Sequence, residues 1–227
     1  MKRTAVFRRP LQLAVGALAA VVVLTACGGP VTMGAAATID DRRITTAQLE
    51  STVAQWEKEF ARTPRAGLLQ QQAQQQNQRI PFDPDSPKRS ALYQLIDFEL
   101  WKEVARQQRV AITQGEIDRF LGSLGGPANV AASVLANDVP LSHTNDLVRS
   151  ALVQNQLLQR YGAQPDGQGQ IDQSTQQRAL QQLEAAYVGA AKGLRIRINP
   201  RFGSFDPERV TLSPVAYGLS KAESGTG

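Results

Sequence analysis

The side chains most capable of chemistry lie around the chain's single histidine, His143. It stands in Ser142-His143-Thr144, with Asp138 and Asp146 nearby, and a Ser-His-Asp triad or a small metal site can be drawn from these residue types. One histidine and one cysteine in 227 residues exclude mechanisms that need two histidines and any multi-cysteine zinc site. We interpret the segment as a turn before a helix that Ser142 or Thr144 caps.

Two further motifs suggest ligands but lack the residues that such sites need. Phe82-Asp83-Pro84-Asp85 has paired acids, but it lacks the glycine and the terminal glutamate of a calcium loop and is typical of a proline-rich turn. Gly122 to Gly126 has neither the Lys-Ser/Thr ending nor the preceding strand of a phosphate loop. We therefore predict no catalytic residue, no metal and no cofactor, and we do not expect an enzyme.

The only cysteine, Cys27, ends an apolar segment that follows four bases near the N-terminus. The apolar run from Leu11 to Ala26 has 16 residues. A membrane span needs about 20, so the run is better matched by the hydrophobic region of an export signal. The run ends in Leu24-Thr25-Ala26-Cys27, which resembles the lipobox of bacterial lipoproteins.

The lipobox resemblance implies that residues 1–26 are a signal peptide and that the Cys27 thiol receives diacylglycerol before becoming the mature N-terminus. The alternatives are an ordinary cleaved signal or an uncleaved anchor with an incidental cysteine. We favour the general secretion route, and Arg8-Arg9 keeps twin-arginine export open. The expected location is the outer face of the cytoplasmic membrane, with the lipid as the anchor.

The charge of the chain, formally +5, argues little for nucleic-acid binding. Without the four bases of residues 1–26, 25 Lys and Arg become 21 against 20 acids, so the exported part carries +1. It contains no block of five like charges and no strip of aromatic and arginine residues such as single-strand binders use. We expect no nucleic-acid partner.

The exported part reads as a helical domain between two short strands. Hydrophobic residues recur at helical spacing in about six segments, and period-two alternation predicts a strand at about 194–199. A strand at about 37–44, with a turn at Asp40-Asp41, opens the domain. Because a lone strand leaves backbone groups unpaired, we predict that the two strands pair in a small sheet. The full division is a signal (1–26), a lipidated cysteine and flexible tether (27–36), a helical domain (37–206) with a Gln/Pro-rich insertion (63–87), and a loose polar tail (207–227). The insertion holds seven glutamines between 70 and 78, and we expect it to bury little.

Three segments together resemble the N-terminal chaperone module of SurA/PrsA-type extracytoplasmic folding factors, which is related to the trigger-factor chaperone domain. They are Ile44-Thr45-Thr46-Ala47-Gln48-Leu49-Glu50, the similar Ile112-Thr113-Gln114-Gly115-Glu116-Ile117-Asp118, and Arg195-Ile196-Arg197-Ile198-Asn199-Pro200-Arg201-Phe202-Gly203-Ser204-Phe205-Asp206. The resemblance covers about residues 36–206, in the form of an actinobacterial lipoprotein. Many members of that family add a parvulin prolyl-isomerase domain, and no such pattern or paired histidines occur here.

The resemblance implies an ATP-independent, chaperone-like binder of newly secreted or envelope polypeptides without isomerase activity. The alternative is an envelope lipoprotein that uses the helical module to dock one specific partner. For client binding we single out Phe82 in the proline-rich segment, Phe98, which lies off the helix face set by Leu92, Ile96 and Leu100, and Trp101. Clients and oligomeric state are left open.

Overall fold

A computed structural model of the chain describes residues 33–75, 86–164 and 172–214. Within these ranges the protein is mainly helical, with seven α-helices and two small antiparallel sheets, which confirms the predicted fold class. The elements are β1 (Ala35–Ile39), β2 (Arg42–Thr45), α1 (Thr46–Phe60), α2 (Pro64–Gln75), α3 (Pro87–Gln107), α4 (Gln114–Ser123), α5 (Pro127–Ala136), α6 (Thr144–Arg160), α7 (Gln173–Gly193), β3 (Ile196–Ile198), β4 (Ser204–Asp206) and β5 (Thr211–Ser213). Short 3₁₀ turns lie at Leu141–His143 and Pro200–Phe202.

The predicted pairing of the two terminal strands is confirmed, in a sheet of three strands rather than two. β1 pairs antiparallel with β3, with Thr38 opposite Arg197, and on its other side with β2, with Thr38 opposite Arg43. The third strand arises because Asp40 adopts φ 48° and turns the predicted 37–44 strand into a hairpin. A short acidic side chain tolerates this left-handed conformation better than most.

Local capping explains where the helices begin. The Thr45 hydroxyl accepts from the Gln48 N–H at 3.0 Å. Thr113 and Glu116 form a complete capping box, in which each side chain binds the other's backbone N–H. These bonds satisfy donors that the first turn of a helix leaves free, at about 1 kcal/mol each.

Helix α3 lies at the centre of the domain and packs against α1, α6 and α7. Ten of its residues are buried, so its apolar surface extends well beyond a single stripe. The main core joins it to β1, α1 and the C-terminal hairpin. The buried side chains of this core include Ile39, Leu49, Leu92, Ile96, Phe98, Leu100, Val139 and Phe202.

The expectation that the glutamine-rich insertion buries little is wrong for its first half. Residues 64–75 form α2, which packs on α5 and buries Ala66 completely. The Gln70 amide is also buried, and it donates to Asp138 Oδ1 at 2.8 Å and to the Ala136 carbonyl at 3.4 Å. A buried amide is tolerated when its hydrogen bonds are met within the protein. Residues 76–85 lie outside the described residues.

The loose tail predicted from residue 207 is also wrong for its first residues. β4 and β5 form a hairpin in which Phe205 pairs with Leu212. Val210 is 4% exposed, and its carbonyl accepts a hydrogen bond from the Tyr93 hydroxyl at 3.1 Å. The hairpin therefore completes the core over α3. Residues 215–227 lie outside the described part of the chain.

Candidate functional site

Several predicted site residues fall outside the described residues. These are the lipobox residues Leu24, Thr25 and Ala26, the lipidation residue Cys27, and Phe82 of the proposed client-binding set. The other two predicted client-binding residues, Phe98 and Trp101, are described, and both are buried.

The prediction that Phe98 faces a client is wrong, because its ring belongs to the main core at 3% exposure. It stacks on the His143 ring with centroids 5.7 Å apart. Periodicity placed Phe98 off the apolar face of its helix. It is buried nevertheless because α3 has neighbours on several sides, so residues off the main stripe also meet apolar partners.

Trp101 is likewise structural, at 8% exposure. Its ring stacks on Tyr187 of α7 with centroids 4.7 Å apart, and its side chain hydrogen-bonds to Asp97. The Tyr187 hydroxyl also donates to Asp97. Burial raises the pKa of Asp97 to about 6, and the two hydrogen bonds oppose the rise. This buried group links α3 to α7.

The structure does not assemble a triad around His143. The His143 ring nitrogen Nδ1 lies 3.1 Å from Asp146 Oδ2, but the Ser142 hydroxyl donates instead to Gln55 Oε1 at 3.4 Å. Asp138 lies elsewhere, on Gln70. The hydrogen bond to His143 is the main reason that the pKa of Asp146 lies below its usual value.

The turn interpretation of this segment holds, but the predicted cap does not. Residues Leu141–His143 form a 3₁₀ turn directly before α6. The N-cap position is His143, which makes no side-chain capping bond. The Thr144 hydroxyl instead donates backwards to the Leu141 carbonyl at 2.7 Å.

An apolar groove of about 380 Å³ lies between the end of α4, the start of α5 and the turn before α6. We call it the α4–α5 groove. Its apolar walls are Leu121, Pro127, Ala128, Ala131 and Leu141, and its polar rim is Ser142, Thr144 and Asn145. None of these eight residues is charged. Leu141, one of the wall residues, is 37% exposed, and Leu124, which lies in the sequence between the wall residues Leu121 and Pro127, is 46% exposed.

The ends of the groove are held by backbone geometry. Gly125 and Gly126 adopt φ of 83° and 90°, a region in which any side chain would be strained, and they turn the chain from α4 into α5. On the opposite wall, the Leu141 N–H donates to Glu59 Oε2 at 2.7 Å, and Glu59 also accepts from Gln55 at 3.0 Å. The exposed Leu141 side chain is therefore presented by a turn that is tied to α1.

A second groove, of about 590 Å³, lies between α6 and α7. Four of its seven lining residues are amides: Asn155, Gln159, Gln164 and Gln176. An apolar ligand would have to strip water from these amides without replacing its hydrogen bonds, which is costly. The smaller α4–α5 groove is therefore better suited to an apolar side chain, with hydroxyl and amide groups at its rim for the attached backbone.

No family model, curated protein or solved structure matches this chain.

Two kinds of feature are absent from the residues that the structure describes, a group of metal-binding side chains and a membrane-spanning helix. Over residues 33–75, 86–164 and 172–214, no three His, Cys, Asp or Glu side chains are grouped so that they could hold a metal ion. In the same ranges, no helix has the length and apolar character to cross a membrane.

Proposed function

We propose that the protein is a lipid-anchored extracytoplasmic lipoprotein that acts as an ATP-independent, chaperone-like binder of secreted or envelope polypeptides. The α4–α5 groove is the observation that carries the binding part of this proposal. The export-signal pattern and the Leu24-Thr25-Ala26-Cys27 sequence support the location. No isomerase step and no other covalent chemistry are part of the proposal.

Binding at the groove would be weak for one client segment. Complete burial of one leucine or phenylalanine side chain contributes about 1.5–3 kcal/mol. A millimolar affinity already requires about 4 kcal/mol, so a single side chain gives a short-lived complex. Weak contact suits a binder that must release its clients without ATP, and the anchor would compensate by concentrating the groove where chains emerge.

A holdase assay tests the proposal with the exported chain, residues 27–227 carrying Cys27→Ser, and a thermally aggregating model protein. We expect the chain to suppress aggregation at several-fold molar excess. The double variant Leu124→Ser/Leu141→Ser should lose most of that suppression. Leu141 lines the groove, and Leu124 lies in the sequence between its lining residues Leu121 and Pro127.

The matched control is Leu68→Ser/Leu180→Ser, which alters two leucines that are more exposed, at 59% and 49%. Neither lines the α4–α5 groove, so this variant should retain suppression. Equal losses in the two variants would show that general surface hydrophobicity, not the groove, binds the client. No suppression by the parent chain would remove the chaperone proposal.

The alternative proposal is a scaffold lipoprotein that docks one partner, and the uncharged, rigidly held groove favours it to the same degree. The number of different proteins that the chain retains in a pull-down separates the two proposals. A chaperone should retain many unrelated secreted chains through the groove, and a scaffold should retain one stoichiometric partner.

A further inference from the structure

The outer face of the three-stranded sheet carries two arginines that have no acidic partner among the residues that the structure describes. Arg43 of β2 and Arg197 of β3 both lie directly opposite Thr38 of β1, so the three side chains form one row across the sheet. The adjacent residue Ile39 is 3% exposed and points to the core, so this row points outward. With neighbouring strands about 4.8 Å apart, the two arginines start about 10 Å from each other. We call Arg43, Thr38 and Arg197 the arginine row.

The charge of the row is not neutralised by the acids that lie close to it. Within the described residues, the Arg197 side chain makes no hydrogen bond or ion pair, and the Arg43 side chain donates only to the Met33 carbonyl. Two nearby carboxylates are already engaged, Asp40 with Arg195 at 3.4 Å and Glu99 with Arg42. The sequence from Lys192 to Arg209 adds to this excess, with five bases against two acids in a chain whose exported part is nearly neutral.

The row also lies where the chain enters the domain. Met33, whose carbonyl binds Arg43, is 97% exposed, so an apolar side chain stands beside the cations. Cys27 is six residues before Met33 in the sequence. A chain spans at most about 3.5 Å per residue, so six residues reach at most about 21 Å. Cations beside an exposed apolar residue are typical of surfaces that lie on a bilayer.

We propose that the arginine row is a docking surface for the anionic phosphates of the bilayer that holds the lipid on Cys27. The choice of this bilayer as the occupant rests on the proposed lipidation of Cys27. The recognition of anionic phosphates by the two arginines does not depend on the lipidation. Guanidinium groups bind phosphate oxygens as well as they bind carboxylates, and Thr38 adds a hydroxyl between them. Docking would hold the sheet against the membrane and turn the opposite side of the domain outward.

Vesicle sedimentation tests the proposal with residues 27–227 carrying Cys27→Ser, which has no lipid of its own. We expect binding to vesicles of phosphatidylcholine mixed with phosphatidylglycerol, little binding to phosphatidylcholine alone, and weakening by salt. Arg43→Gln/Arg197→Gln should lower the affinity by roughly fivefold per arginine, hence about 25-fold. The Lys double variant keeps both charges and should retain most of the binding.

The matched control, Arg119→Gln/Arg178→Gln, removes the same charge from exposed arginines on α4 and α7 and should bind like the parent. Asp41→Asn, at the hairpin tip, should strengthen binding. Equal weakening of vesicle binding in both Gln double variants would overturn the arginine row as the site. Displacement of the vesicles by millimolar inorganic phosphate would also overturn the proposal, because it would indicate a site for free phosphate. Thermal melts confirm folding of each variant. The assay contains no client, so its failure and failure of the chaperone proposal are separate results.

Discussion

Asp138 should make the stability of the domain depend on pH in a direction opposite to most carboxylates. Its side chain is 2% exposed, Oδ1 accepts from Gln70, and Oδ2 has no hydrogen-bond partner among the residues that the structure describes. Burial raises the pKa of this carboxyl from 3.8 to about 7, and the hydrogen bond from Gln70 opposes the rise. Above pH 7 the folded protein carries the cost of a buried charge.

The sign and the size of this pH dependence of stability follow from proton linkage. Between pH 7 and pH 3.8 the folded state binds a proton that the unfolded state does not, so the free energy of unfolding rises as the pH falls. Each pH unit contributes about 1.4 kcal/mol, so acidification from pH 8 to pH 5 adds roughly 3 kcal/mol from this group. Below pH 3.8 its contribution is constant.

Asp138→Asn removes the titration and retains the shape. Asparagine tolerates the φ of 59° at this position and can accept from Gln70 as the acid does. At pH 8 the variant should be more stable than the parent by about 1–3 kcal/mol, since the buried charge is gone but one amide N–H₂ is left unpaired.

Urea unfolding at pH 5, 6, 7 and 8 measures the effect as the difference between variant and parent. Asp97 titrates in the same direction in both proteins, so the comparison isolates Asp138. The stability of the variant minus that of the parent should fall by roughly 3 kcal/mol between pH 8 and pH 5, so that the parent is at least as stable as the variant at pH 5. A difference that stays constant over this range would refute the reasoning, because it would show that Asp138 does not change its protonation state.

Three further predictions follow from contacts described above. Tyr187→Phe removes the hydroxyl that donates to buried Asp97 and should lower the free energy of unfolding in urea by about 1–3 kcal/mol. It should also raise the pKa of Asp97 further, which infrared titration of the carboxyl band measures. An unchanged pKa would contradict the hydrogen bond. Thr113→Ala breaks the capping box with Glu116 and should cost about 1 kcal/mol, whereas no loss would mean that the exposed cap contributes nothing. Cys27→Ser should abolish incorporation of labelled fatty acid and leave the precursor unprocessed, and normal maturation would contradict the lipobox.

Much of the fold could be predicted because its signals are local. The alternation in residues 194–199 and the need of a lone strand for a partner led to the pairing of β1 with β3. The starts of α1, α3 and α4 carry a local signal of the same kind, since Thr45, Ser86 and Thr113 cap these helices with their side chains. The C-terminal hairpin was missed because β4 and β5 have three residues each, none of them fully buried, and because β5 packs against α3, which is distant in the sequence.

The candidate site was much less predictable. The α4–α5 groove collects residues from three segments, and no periodicity marks them as neighbours. Leu141 is presented by a hydrogen bond to Glu59, which is 82 residues away in sequence. Phe98 was assigned to the surface because helical spacing describes one face, whereas α3 is packed on several. Exposure of this kind depends on tertiary packing.

The pairing of β1 with β3 also means that the sheet cannot be completed until the end of the domain is available. Asp40 and Arg195 hydrogen-bond across 155 residues, and Ala35 and Asn199 across 164. In the proposed export, with the N-terminus first, β1 would keep one open edge until almost the whole domain had crossed the membrane. Contacts of such sequence separation make folding slow, and an open edge invites pairing with other chains. A protein that emerges in this order spends its first moments as the kind of unfinished chain that a secretion-site chaperone would bind.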